Sequence, residues 1–171
     1  YADGEYGAAG FIVGSVAPDR FNDGSDIEQG DLLIGIPSVG LHTNGYSLAR
    51  RIIGLTGDAD ADLAILNQPL PNATMTIGEA LLREHVTYFP VVYPLVELGK
   101  IRGIAHITGG GLVDNVPRML PDHLAADIEP ASWAAPPIFD YLVEQGQIPL
   151  DDRFRALNMG IGMVLAIAPK D

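Results

Sequence analysis

Ala105-His-Ile-Thr-Gly-Gly-Gly-Leu-Val-Asp-Asn-Val-Pro-Arg118 reads as a buried strand running into a triple-glycine turn that opens a short helix. Glycines admit backbone conformations closed to other residues and let the chain approach a ligand closely. The unpaired amides and positive dipole end of the following helix attract phosphate. A second stretch, Asp31-Leu-Leu-Ile-Gly-Ile-Pro-Ser-Val-Gly-Leu-His-Thr-Asn-Gly-Tyr-Ser-Leu-Ala-Arg-Arg51, repeats the plan of apolar strand, small-residue turn and helix. Each turn carries one histidine, His106 in the first and His42 in the second, so the two units could face one ligand.

Outward from these turns, short strands alternate with helices. Gly10 to Ala17, Leu32 to Ile36, Ile104 to Ile107, Ala125 to Ile128 and Gly160 to Ile167 read as strands. Leu48, Ala49, Ile52 and Ile53 recur at helical spacing, with Asn44 or Thr43 placed to cap the helix and Gly54 or Gly57 to stop it. Further helices are predicted near Thr76 to Val86, Val91 to Leu98, Pro137 to Gln145 and Leu150 to Leu157, with one after the glycine turn broken by Pro117. Gly57 to Thr74 reads as a long polar linker. The expected fold is α+β, a layered mixed β-sheet with packed helices.

With 171 residues and 47% apolar content the chain can bury a core without disulfides or structural metal. It has no cysteine, which fits a reducing cytoplasm. The longest apolar run, Met159 to Ala168, falls short of the ~20 residues of a membrane helix, and no membrane partner is expected. A net charge of −12 argues against a nucleic-acid surface, which needs clustered Lys and Arg. It leaves room for a small phosphorylated ligand held by backbone amides.

His106 shares a strand face with Thr108 beside Gly109, Gly110 and Gly111; it reads either as a core histidine tied to a carbonyl or as a functional group at the mouth of the turn. The glycines serve ligand approach, or a tight turn and helix packing. The segment is neither a Walker loop nor a Rossmann G-x-G-x-x-G and names no nucleotide by itself. His42, Thr43, Asn44 and Gly45 sit at the second helix mouth, where Asn44 is a ligand contact or an N-cap. Asn115 and Arg118 reach a phosphate or lie on the surface of a short helix. Asp58, Asp60 and Asp62 imitate the start of a calcium loop, but Leu63 and Pro69 stand where it needs Gly and Glu. The four histidines show no zinc spacing, and no serine lies in a G-x-S-x-G elbow.

Taken together, Gly4-Glu-Tyr followed by Ala-Gly-Phe11, Gly40-Leu-His-Thr-Asn-Gly-Tyr-Ser-Leu48, Ala105-His-Ile-Thr-Gly-Gly-Gly111 and Asn158-Met-Gly-Ile-Gly-Met163 closely resemble the phosphoribosylformylglycinamidine cyclo-ligase (aminoimidazole ribonucleotide synthetase) family. The match runs in the family's order over nearly the whole chain. It implies a single carboxy-terminal domain, residues 1–171, of a larger two-domain enzyme. The family's amino-terminal domain lies before this point, forms much of a homodimer and carries acidic residues for metal and nucleotide. A further helix and strand are expected beyond Asp171.

The implied reaction uses ATP and magnesium to close the imidazole ring of formylglycinamidine ribonucleotide in purine biosynthesis. His42 and His106 are the implied catalytic pair. Thr43, Asn44, Gly45, Thr108, Gly109, Gly110, Gly111 and Asn115 would bind substrate or phosphate, and no metal ligand is expected in this chain. Relatives of the same ATP-using superfamily, such as formylglycinamidine synthetase and selenophosphate synthetase, share the architecture, as would a non-catalytic phosphometabolite-binding domain. Several positions depart from the family's habit. Gly7 replaces Asp, Glu84-His-Val86 replaces Pro, Thr and a basic residue, Pro90 replaces a frequent Lys, and Ala156-Leu157 replaces Thr-Phe.

Overall fold

A computed structural model describes Gly7 and residues 9–171. Three strands form its sheet, β1 (Leu32–Pro37), β2 (Ile101–His106) and β3 (Ile161–Ile167), in the order β1-β3-β2. Both pairings are antiparallel, with Ile34 opposite Leu165 and Ala105 opposite Val164. The expected mixed sheet is therefore corrected to an antiparallel one among the described residues. β1 and β2 run the same way, but β3 lies between them and pairs antiparallel to each.

Side-chain alternation lets the sheet bury both faces. Val164 and Ala166 of β3 and Ala105 of β2 join Leu112, Val116 and Met119 on one side. Leu165 and Ile101 join Tyr88 and Val92 on the other. The first layer comes from α5 (Gly111–Asn115), which continues as a 3-10 turn at Val116–Met119, and the second from α4 (Phe89–Glu97). Pro90 lies in the first turn of α4, where its missing N–H costs no hydrogen bond.

A separate helical core lies beside the sheet. It joins α1 (Tyr46–Ile53), α3 (Ile77–Leu81) and α6 (Pro137–Gly146) around Ile77, Ile138, Phe139 and Leu142, with Leu157 and Met159 from the chain entering β3. In α6 the buried residues Ile138, Phe139, Leu142 and Val143 fall at i, i+1, i+4 and i+5, one face of a helix. A capping box between Thr76 and Glu79 starts α3.

Three sequence expectations are corrected. Gly10 to Ala17 lies in no strand, and Phe11, Ile12 and Val13 are 96–99% exposed; an extended segment becomes a strand only beside a partner, and none pairs with it among the described residues. Ala125 to Ile128 also lacks a ladder, although Ala126 and Ile128 pack against the first sheet core. The expected linker at Gly57 to Thr74 contains α2 (Ala59–Leu66). Its calcium-like acids serve the start of that helix: Asp58 accepts from Ala61 N at 3.0 Å, and Asp62 from Thr56 N at 2.8 Å and Gly57 N at 2.9 Å.

Candidate functional site

The two glycine-containing turns meet. His42 precedes α1 and His106 ends β2, and between them stands His85, from the segment joining α3 to α4. The His42 and His85 ring centroids lie 4.0 Å apart, and those of His85 and His106 5.5 Å apart. A Cβ built on Gly109 would sit 3.6 Å from Asn44 Oδ1, so the backbone of one turn faces the asparagine of the other.

His42 is held unusually. Its backbone has φ 59°, a left-handed conformation uncommon for a residue with a Cβ. The residue is only 7% exposed. Val39 N–H donates to Nε2 at 3.4 Å, which leaves Nδ1 to carry the proton of a neutral imidazole. Nδ1 is buried without a hydrogen-bond partner. Burial, and then the neighbouring His85 and His106, push the His42 pKa down from 6.5 to about 4. At neutral pH this is an uncharged ring with a buried donor that has nothing to bond.

His106 is more exposed, and burial followed by His85 lowers its pKa as well. It lines a hollow of about 460 Å³ with Asp23, Thr108, Asn115 and Arg118. Tyr88 completes the surroundings of His42: its hydroxyl donates to Pro37 O at 3.0 Å, and burial raises its pKa to about 12, so the donor keeps its proton.

The triple-glycine turn divides into parts. Gly110 and Gly111 have φ of 98° and 58°, the region glycine tolerates best. Gly111 is buried, and a Cβ there would run into the carbonyls of Phe154 and Leu157 in and after α7 (Leu150–Ala156). Its smallness is required by packing. Gly109 faces open space apart from Asn44, which leaves room for a ligand. Asn115 is a strut behind the turn: its Nδ2 is 2.7 Å from Gly111 O, 3.2 Å from Gly109 O and 3.4 Å from Thr108 O. Its Oδ1 accepts from Thr108 Oγ1 at 3.1 Å and from Arg118 at 3.2 Å.

Capping at the second mouth differs from expectation. The N-cap of α1 is Gly45, in a left-handed conformation with φ 89°, and neither Thr43 nor Asn44 caps the helix. Asn44 is thereby left to face Gly109. Gly54 ends the helix as expected.

Sequence reasoning assigned no role to Asn158, the buried residue that holds this mouth. Its Nδ2 donates to Gly40 O at 3.0 Å and Leu41 O at 3.2 Å, and its Oδ1 accepts from Ser38 Oγ and Gly160 N. An asparagine just before a Met-Gly turn was the available signal, and the sequence does not show that three of its four partners lie more than a hundred positions away. His85 was noticed only as a departure from the family's threonine.

Among the described residues no group of three or more His, Cys, Asp or Glu side chains could hold a metal ion, and no helix is long and apolar enough to cross a membrane. The donor set suits an anionic or carbonyl-bearing organic ligand. A family model described as AIR synthase related protein, C-terminal domain, matches residues 28–171. The chain is 51% identical over its full length to a phosphoribosylformylglycinamidine cyclo-ligase of Trichlorobacter lovleyi, of which it covers 48%. It is 46% identical over 98% of its length to the Bacillus subtilis protein of that name, covering 47% of it. The chloroplastic protein of that name from Arabidopsis thaliana is 42% identical over 99% of this chain, which covers 42% of the plant sequence. The chain thus spans about half the length of the curated relatives it matches. On the family match and the conjunction of its two turns, the chain belongs to the AIR synthase related protein, C-terminal domain, family.

Proposed function

We propose that this chain supplies the carboxy-terminal half of the site of an ATP-dependent cyclo-ligase that closes formylglycinamidine ribonucleotide to aminoimidazole ribonucleotide. The observation that supports the reading is the meeting of the two turns: Asn44 of one faces Gly109 of the other, and His42 and His106 both lie against His85. The names of the relatives supply the substrate class.

In this reaction ATP supplies a phosphoryl group to the amide oxygen of the substrate; a nearby nitrogen then attacks the activated carbon and phosphate leaves. The chain's residues divide the remaining work. The backbone at Gly109 and Gly110, with Thr43, Asn44, Gly45 and Thr108 around it, receives phosphate oxygens. The Nδ1–H of His42 donates to an oxygen of the bound substrate, because Nε2 is already engaged by Val39 N–H. His106, exposed and neutral, accepts the proton lost by the attacking nitrogen. Magnesium ligands belong to an amino-terminal domain, and no step here runs through the metal. The complete enzyme is a cytoplasmic homodimer; the exposed Phe11, Ile12 and Val13 support a surface covered by another part of the protein.

The test is ATP-dependent formation of aminoimidazole ribonucleotide by the complete protein that contains this chain, beside His42→Ala and His106→Ala. Each variant is expected to lose ~10²–10⁴-fold in turnover. Unchanged turnover in the double variant would end the assignment of the histidines, and a folded wild type without ring closure would end the cyclo-ligase reading.

A further inference from the structure

The third histidine of the cluster has no part in the roles assigned above. His85 Nδ1 lies 2.8 Å from Val86 O, a bond in which the ring N–H donates and which fixes the ring plane. So anchored, the ring lies against His42 at a tilt of 31° and presents an edge to His106 at 70°. Tyr88 meets it edge-on at 6.0 Å. On its other side His85 lines an open groove of about 870 Å³ with Glu79, Arg83 and Glu84, whereas His106 lines the separate hollow by the glycine turn. His85 therefore touches both other imidazoles while itself facing the groove, and the most deeply buried of the three, His42, lies against it.

We propose that His85 is a positioning residue of the site, wedged between His42 and His106 so that it fixes both rings and governs whether either can take a proton. Two physical consequences of these contacts support this. A ring tilted by 31° at 4.0 Å covers part of the His42 ring and adds to its burial. A positive charge on His85 would face both neighbours and repel theirs, which adds to the burial that chiefly lowers the values of His42 and His106. Tyr88 keeps its proton and adds no charge. Glu79, Arg83 and Glu84 share only the groove side.

The consequence for turnover rests on the cyclo-ligase reading, but the coupling of the rings does not. The experiment is an NMR titration of the histidine Cε1–H signals in the complete protein, for wild type, His85→Gln and His85→Phe. Glutamine removes the ring and any charge it can carry; phenylalanine keeps an aromatic ring in place that cannot be charged. In His85→Gln the midpoints of His42 and His106 are expected to rise by ~0.5 unit or more. In His85→Phe, His106 is expected to rise while His42, still covered, rises less. Midpoints of both histidines that stay at wild-type values in both variants overturn the proposal. Shifted midpoints uphold it whether or not the protein closes the ring, so failure of the coupling and failure of the activity are read separately. Where turnover is measurable, the acid limb of its pH profile is expected to move to higher pH in His85→Gln.

Discussion

Asn158 accepts a hydrogen bond from Ser38 Oγ at 2.8 Å, joining two buried polar side chains that lie 120 positions apart in the chain. The same amide donates to Gly40 O and Leu41 O and accepts from Gly160 N. One residue thus closes the loop that carries His42 onto the start of β3. Loops that hold functional groups need such internal fastening, because their own backbone groups have no ladder to join.

Asn158→Ala is expected to leave three buried groups, Gly40 O, Ser38 Oγ and Gly160 N–H, without partners and to destabilise the fold by about 2–4 kcal/mol. Asn158→Asp should be no better, since a carboxylate would confront the carbonyls of Gly40 and Leu41. Chemical denaturation of wild type and both variants checks this. A loss below half a kilocalorie per mole in Asn158→Ala, by the ~0.5–1.5 typical of even one bond, would show that the loop is fastened elsewhere.

The glycines of the turn should separate by role. Gly111→Ala meets the Phe154 and Leu157 carbonyls in a positive-φ conformation and is expected to cost about 3 kcal/mol or more. Gly109→Ala has ordinary contact with Asn44 only, so the fold should hold within about 1 kcal/mol while affinity for the phosphorylated substrate falls. Thermal unfolding and KM for the two variants distinguish packing from ligand approach. Equal stability losses would remove the distinction.

Sequence periodicity made much of this fold legible. The runs at Ile104 and Ile161 are strands whose apolar residues alternate between two packed faces, whereas the run at Leu32 is an edge strand that stays largely exposed, with Leu33 against one core and Ile36 against the other. The helix starting near Gly45 is visible because Ala49 and Ile53 share one side. Gly10 to Ala17 misled for a physical reason: its composition suits a strand, but strand formation depends on a neighbour that composition does not encode. At the site, His42 and His106 were legible because each adjoins a glycine turn. His85 and Asn158 were not, because their importance comes from partners brought near only by the fold. Asn115 was legible as a polar group near the turn and misread in direction, since its amide points into the turn's own carbonyls.

Stability should depend on pH through His42. Its folded pKa, about 4, lies below the ordinary 6.5, so the unfolded chain binds the extra proton first as pH falls. The contribution is complete above pH 6.5, declines between 6.5 and about 4, and is gone below that. Its size is on the order of 2–3 kcal/mol. Urea unfolding at a series of pH values should show a shallower acid decline in His42→Gln than in wild type. Parallel curves would mean that His42 titrates normally.

Gly162 on β3 makes room for the hydroxyl of Tyr88, and the two should be coupled energetically. A Cβ at position 162 would overlap that hydroxyl and lie 3.0 Å from His42 Cε1. Gly162→Ala is therefore expected to cost about 1–3 kcal/mol and to disturb His42. Tyr88→Phe removes the donor to Pro37 O and is expected to cost about 1 kcal/mol. In the double variant the methyl group occupies part of the space the hydroxyl vacates, so the combined loss should be smaller than the sum by roughly 0.5–1 kcal/mol. The cycle is measured by denaturant unfolding of the four proteins. Additive losses would mean that the clash is relieved by movement elsewhere, and that the Tyr88 hydroxyl does not fix the floor beneath His42.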